Sequence, residues 1–496
     1  QRDRCFGSVV AKDETHWATA QWGEVMNDTT AVSISGTKST LSECLAEFVE
    51  QFDFNQVPVE VLTRAKLNIL DALGIGFASV GFDFAGRLAS ALEEIGGRGD
   101  YPIIGMDLRL TQRDSAHLNG TLIHGLDYDD THSGAVVHTS ASAVPTMLAA
   151  GLATGADGRR ALGAFLIASE AASRIGAAAN GGFHQRGFHP TGVVGAFGSA
   201  IGASYLYGLK GDQLLDAQGI VLSQASASLE FLEDGAWTKR NHPAWASACG
   251  QTAAMMAKHG YFGPRKPYEG RYGLFNLYMQ DPMMADPSVI TNGLGREWAM
   301  MGIAFKPYPA CHFNHAFADA TLALKKKHNL TPADIKSMTA RIHKDQSNVV
   351  CEPEANKMKP QNAYDAQFSV HYIMSSSMTR GQFTLDELED EALQDPTILD
   401  LCSKSGYEID PDSAYPTYYS GEVVIETNDG RRLAHREAIN RGSADNPLSS
   451  SDIEDKFFAN AVRVVDRLQA QRVLDAVMCL EADENLNNLA DALVKS

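Results

Sequence analysis

Long stretches of this chain carry helical periodicity on side chains too small to hold helices apart. Residues 114–124, 141–154, 158–175, 191–206, 213–226 and 244–259 each repeat apolar positions at helical spacing, and many of those positions are Ala, Gly or Ser. Small residues let helix axes approach closely, so the pattern predicts a compact bundle of tightly packed helices. With 496 residues and 44% hydrophobic content, the chain can bury a large core and is long enough for two domains.

The pattern divides the chain. Residues 1–37 are polar, with Trp17 and Trp22 as the main large anchors, and read as an N-terminal arm. Thr40 with Glu43 has the spacing of a capping box, and Pro58 opens a second helical run. Residues 38–300 are expected to form the first part of a helical domain. From 301 to 437 the character changes. Thr331-Pro332-Ala333-Asp334 reads as a helix start, residues 336–342 alternate like a strand, and residues 422–436 read as a hairpin around Asn428-Asp429-Gly430. Residues 438–496 return to helix and are expected to rejoin the bundle. The predicted fold class is mainly α: a large all-helical bundle domain with a second, smaller α+β lid domain.

A formal net charge of -19 opposes unspecific binding to nucleic acid or to anionic membranes. It also opposes an anionic substrate, which would need a local cationic patch. Seven widely spaced cysteines without a Cys-x-x-Cys pair argue against a disulfide framework and for a reducing compartment. No apolar run reads as a membrane span and no secretory signal core is visible, so the expected location is the cytoplasm, or the mitochondrial matrix if a targeting segment has been removed. The chain carries no Walker loop, no complete Gly-x-Gly-x-x-Gly, no His-Glu-x-x-His and no Gly-x-Ser-x-Gly.

Four segments carry chemistry. Leu126 to His138 packs three carboxylates, two aliphatic hydroxyls and two imidazoles between small-residue helices. Asp127, Asp129, Asp130, Thr131, His132 and His138 suit general acid–base work, with helix capping as the plainer role for at least one of the acids. His189 stands immediately before Pro190-Thr191-Gly192, where the free N–H groups of a first helical turn can meet a carboxylate. Lys239, Arg240 and His242 form a cationic cluster expected just before a small-residue helix, suited to holding carboxylates. Lys306 offers a second clamp. Cys311, His312 and His315 make only one short half-site, so no metal is expected.

At these segments the chain resembles the MmgE/PrpD family, which includes 2-methylcitrate dehydratase, cis-aconitate decarboxylase and iminodisuccinate epimerase. The carrying stretches are residues 119–132, 187–195, 235–243 and 305–311, with Leu70-Asp71-Ala72-Leu73-Gly74 as a further likeness. The resemblance implies a homodimer acting on a small di- or tricarboxylate without metal or organic cofactor, through a carbanion or enolate beside a carboxylate. It points to Asp127, Thr131, His138, His189, Lys239 and Lys306 as cleft residues. Asp127, His138, His189 and Lys239 are expected to be catalytic, and Thr131, Arg240, His242 and Lys306 to bind substrate. The dehydratase branch has His-Pro-Ser where this chain has His138-Thr139-Ser140. The decarboxylase branch carries a tyrosine shortly after the first lid strand, and residues 347–351 have none. The leading expectation is therefore a 2-methylcitrate dehydratase-like hydro-lyase, with an epimerase or isomerase, a decarboxylase and a non-catalytic dimeric binding protein as alternatives.

Overall fold

The computed structural model describes residues 39–495 except residue 234; the arm expected over residues 1–37 lies outside the described residues. Among the described residues, ten helices carry the first half of the chain: α1 (Leu41–Gln51), α2 (Val59–Ser79), α3 (Asp83–Gly96), α4 (Gln112–His124), α5 (Ser140–Thr154), α6 (Gly158–Ala178), α7 (Gly182–Arg186), α8 (Pro190–Tyr207), α9 (Asp212–Leu222) and α10 (Thr238–Lys258). Thr40 and Glu43 close the capping box of α1 as their spacing predicts. The fold is mainly α, as expected.

α10 differs most from its sequence reading. It begins at Thr238 rather than at 244, so Pro243 lies inside the helix. The sequence reading starts the helix just after Pro243, but at least one further turn is wound ahead of it. That turn is anchored on α4 and its C-cap: Arg240 Nε donates to the Gly125 carbonyl at 2.7 Å, and Asn241 Oδ1 lies 2.5 Å from His117 Nε2. α9 stops at Leu222, short of the expected 226. Thr331-Pro332-Ala333-Asp334 opens only a single 3-10 turn, because the chain leaves it directly into a strand. Contrary to the sequence reading, one described helix has the length and hydropathy of a membrane span: α6, of whose apolar window 94% is buried inside the bundle.

Small residues set the bundle's spacing. A Cβ on Gly250 of α10 would sit 2.5 Å from Ser199 Cβ and 2.7 Å from Ala200 N of α8. A Cβ on Gly120 of α4 would meet Ala244 Cα of α10 at 2.7 Å. The C-terminal helices Ser450–Ala461, Arg467–Met478 and Asn487–Leu493 return to α2, where Phe457, Ala461, Val473 and Leu489 share a core with Leu70, Leu73 and Phe77.

Short strands do the joining. β1 (Arg98–Pro102) pairs with β2 (Arg109–Leu110), and β3 (Thr131–His132) with β4 (Ile303–Ala304), both antiparallel. A four-stranded sheet has the order β6 (Ser405–Ile409), β5 (Ile335–Ile342), β7 (Gly421–Thr427) and β8 (Arg432–Glu437), with β5 and β6 parallel and the other pairs antiparallel. Met338, Ala340 and Ile342 alternate inward and pack with Phe317, Leu324, Val370 and Met374 of the helices His315–His328 and Val370–Arg380.

Candidate active site

Four helix ends meet at one place: the C-terminus of α4 at His124, and the N-termini of α5, α8 and α10 beside Ser140, His189 and Lys239. The β3–β4 ladder pairs Thr131 with Ala304 and so brings Lys306 beside the Asp127–Thr131 loop. That ladder is fixed from behind. Glu170 of α6 accepts the N–H groups of Ala299 and Met300 at 3.0 Å each, just ahead of β4. Lys456 of the C-terminal helix Ser450–Ala461 lies 2.7 Å from Asp71 and donates to the Tyr128 carbonyl at 3.0 Å.

The result is a cleft of about 340 Å3 lined by Asp127, Thr131, His138, His189, Lys239 and Lys306, among others. These are the six residues that the resemblance placed there. The apolar wall includes Phe231, Phe313, Val349 and Phe368. A wider depression of about 490 Å3 beside Tyr207 and Met255 has no carboxylate in its lining and no pair of ammonium groups.

Asp127 organises the cations. Lys239 Nζ lies 2.8 Å and Lys306 Nζ 3.1 Å from its Oδ1, and Lys306 also donates to the Asp127 carbonyl at 2.7 Å. Burial opposes ionisation of this carboxyl, but the two ammonium groups outweigh it and hold the carboxyl well below the usual range. Its φ of 51° is left-handed, a conformation a non-glycine residue adopts at a cost of order 1 kcal/mol.

The imidazoles are ordered by what stands behind them. His138 Nδ1 lies 2.8 Å from the Asp130 carbonyl, which only accepts, so Nδ1 carries the hydrogen and Nε2 of the neutral ring is bare. His124 Nδ1 faces both oxygens of Asp129, at 3.0 and 2.9 Å. His189 and His242 meet Nδ1 to Nδ1 at 3.1 Å. Burial pushes His138 down to about 3 and His242 down to about 4, and it takes His189 well below its ordinary value. The Asp129 carboxyl, despite its burial, is held at about 2 by the histidines against it, with His124 first. Asp130 is pushed up to about 7 by burial, and Ser140 opposes the rise. It accepts the Ser140 N–H at 3.2 Å, and is thus the acid that caps α5.

Two expected ligands of the substrate do not face the cleft. Arg240 is spent on the Gly125 carbonyl and lies 4.8 Å from the Phe84 ring centroid. Its neighbour Lys239 reaches Asp127 because adjacent residues on a helix point about 100° apart. His242 stands behind His189 and outside the cleft's lining. In the other direction, sequence reasoning missed Tyr415 and Tyr419 as lining residues, read Cys311 and His312 only as a metal half-site, and named Asp129 without the His124 that faces it. The signal available for the last pair was a histidine at a helix end five residues before an acid.

Ring nitrogens of His124, His138 and His189 come within 4.8 Å of one another, as do ligand atoms of Asp127, Asp129 and His138. The charges already placed here oppose a dication at either triplet. Asp127 already serves two ammonium groups and Asp129 serves His124, and the lysines set a positive field against a dication. His312 and His315 each turn a ring nitrogen to protein, His312 to Asn440 and His315 to the Ala310 carbonyl.

Paired ammonium groups, imidazoles and carboxylates thus share one buried cleft. The MmgE/PrpD N-terminal domain matches residues 43–285 and the MmgE/PrpD C-terminal domain matches residues 308–482. The chain belongs to the MmgE/PrpD family. It is similar to the cis-aconitate decarboxylase-like protein oryM of Aspergillus oryzae, 27% identical over an alignment 474 residues long that covers 92% of this chain and 98% of that one. It is also similar to the cis-aconitate decarboxylases of Mus musculus, 26% identical over 92% of this chain and 93% of the relative, and of Homo sapiens, 27% identical over 92% and 94%.

Proposed function

We propose that this protein is a lyase acting on a small polycarboxylate, and that decarboxylation of a cis-aconitate-type tricarboxylate is its best-supported reaction. The observation that carries the reading is the convergence of Lys239 and Lys306 on Asp127 beside the bare Nε2 of His138 and the ring of His189. The relatives named above favour decarboxylation over the dehydration expected from sequence. The tyrosine missing from residues 347–351 is no obstacle, because Tyr415 and Tyr419 line the cleft from another part of the chain.

The geometry suits the chemistry. Carboxylates of the substrate would lie against Lys239 and Lys306, exchanging part of their pairing with Asp127 for pairing with substrate. Loss of CO2 from a carbon next to a double bond leaves an electron pair delocalised toward a retained carboxylate, and fixed ammonium groups stabilise that charge without reorganising. An imidazolium then gives its proton to the far carbon, so that one C–C bond breaks and one C–H bond forms. The apolar wall of Phe231, Phe313 and Phe368 excludes water and strengthens each of these interactions.

A 2-methylcitrate dehydratase-like hydro-lyase remains the second reading, because bare His138 Nε2 is equally placed to remove a proton beside a carboxylate. Incubation with cis-aconitate and with 2-methylcitrate in D2O, followed by ¹H NMR, separates the two. Decarboxylation releases CO2 and puts solvent deuterium on carbon. Dehydration yields an alkene at constant carbon number. Neither product, with no exchange at any C–H next to a carboxylate across a panel of polycarboxylates that includes iminodisuccinate, would end the proposal.

A further inference from the structure

The resident charges of the cleft cancel. Lys239 and Lys306 stand against Asp127 and Asp129, all four buried or nearly so. A tricarboxylate brings three negative charges to this place. The free positive charge falls short of them. Burial leaves such an imbalance poorly solvated, so it must be met by a group that can gain charge. Among the groups gathered here, His138, His189 and His242 are imidazoles that burial keeps neutral when the cleft is empty and that can gain a positive charge.

One contact is built to accept a proton. His189 lines the cleft and His242 lies behind it, their Nδ1 atoms 3.1 Å apart. Two nitrogens at that distance share one hydrogen, so one ring donates and the other accepts. A proton added to Nε2 of His189 makes this a charge-assisted bond, with neutral His242 as acceptor. The other facing groups explain why the pair is empty until substrate arrives. His124 stacks on His189 at 5.6 Å, His138 lies at 6.0 Å, and Lys239 stands in the same cleft. Phe231 packs on both rings, at 6.2 Å from His189 and 5.8 Å from His242. The N-termini of α8 and α10 add positive potential on the same side.

We propose that the polyanionic substrate loads its own general acid: its binding draws one proton from solvent onto the His189–His242 pair, with His189 as the proton donor to substrate and His242 as its positioning residue. The inference rests on the polycarboxylate reading above. It also balances the reaction, since decarboxylation of a carboxylate consumes one proton for each CO2 released, and the loaded pair supplies it.

Calorimetric titration tests this with tricarballylate, a saturated tricarboxylate that has neither a hydroxyl to lose nor a double bond to shift. Binding is measured at one near-neutral pH in buffers of different ionisation enthalpy. The apparent enthalpy should vary with the buffer at a slope of about one proton taken up per cleft. In His242→Gln, binding should persist and the uptake should fall at least twofold, whereas His138→Gln should keep it. His189→Asn, with the cleft-facing ring removed, should lose the uptake as well. Binding by the unmodified protein with zero slope would overturn the inference and leave the polycarboxylate reading standing, as would full uptake in His242→Gln. Failure of tricarballylate, cis-aconitate and citrate to bind at all would overturn the polycarboxylate reading, and the inference with it.

Discussion

Lys306 donates to the carbonyl and to the carboxylate of Asp127 from almost complete burial, while Lys239 reaches the same oxygen from the first turn of α10. The two cations are not equivalent in what their loss leaves behind. In Lys306→Met, Asp127 keeps Lys239, so folding should survive. A fixed charge next to developing negative charge is gone, and kcat/KM for the substrate should fall by about 10²–10³. Steady-state kinetics alongside a thermal melt checks this, and unchanged kcat/KM would remove Lys306 from the reaction. Asp127→Asn is the converse case. It leaves two buried ammonium groups sharing a neutral amide, and unfolding by denaturant should show a loss of about 3–5 kcal/mol. A loss under about 1 kcal/mol would mean that water already solvates the lysines. These residues were legible in sequence because reactive side chains stood among small apolar ones. The division of labour between Lys239 and Arg240 was not, because it depends on the direction each takes from a helix whose start lay hidden behind Pro243.

The helices meet at distances only small residues permit, and two glycines separate that effect from helix propensity. Gly250 faces the backbone of α8, where an added methyl would meet Ala200 N at 2.7 Å and Ala196 O at 2.8 Å. Backbone cannot give way as a side-chain tip does, so Gly250→Ala should destabilise the fold by about 1–3 kcal/mol. Gly86 of α3 has nothing near the position a Cβ would take. Gly86→Ala should stabilise by up to about 1 kcal/mol through backbone entropy alone. Equal effects of the two in chemical denaturation would contradict the close-packed bundle. Helices such as α5, α6 and α8 were readable because one period runs unbroken through each. The β5 strand and the β7–β8 hairpin were readable from alternation and the Asp429-Gly430 turn. The β3–β4 pairing was not, since two-residue strands carry no period. Yet that pairing brings Lys306 to Asp127 across nearly two hundred residues of chain. The motifs thus announced which residues matter, and pairings too short to leave a pattern decided how they meet.

For the molecule as a whole, the unusual quantity is buried neutral histidine. Burial holds His138 and His312 down to about 3, and His242 and His371 down to about 4, against an ordinary value of 6.5. Each ring binds its proton more weakly in the folded chain than in the unfolded one. The contribution of each is therefore complete above pH 6.5 and is lost as acid protonates the unfolded state first. Asp130 works the other way. Pushed up to about 7 from an ordinary 3.8, it holds a proton that the unfolded chain has released, so its contribution fades as pH rises through that interval. His189 and His315 shift with these four imidazoles, and Asp71 and Asp319 shift with Asp130, so imidazoles outnumber the opposing carboxyls; each group is worth up to about 1.4 kcal/mol per pH unit. Stability should fall on acidification below about pH 6, approaching about 4 kcal/mol per pH unit in the steepest stretch. The urea midpoint, followed between about pH 7 and pH 5 without ligand, measures it. Saturating tricarballylate should soften the decline, because a bound polyanion makes a charged histidine welcome in the cleft and the folded state then takes up protons as well. A midpoint that stays level through this interval in the free protein would mean that the rings accept protons where they stand, and that the cleft is wetter than its burial implies.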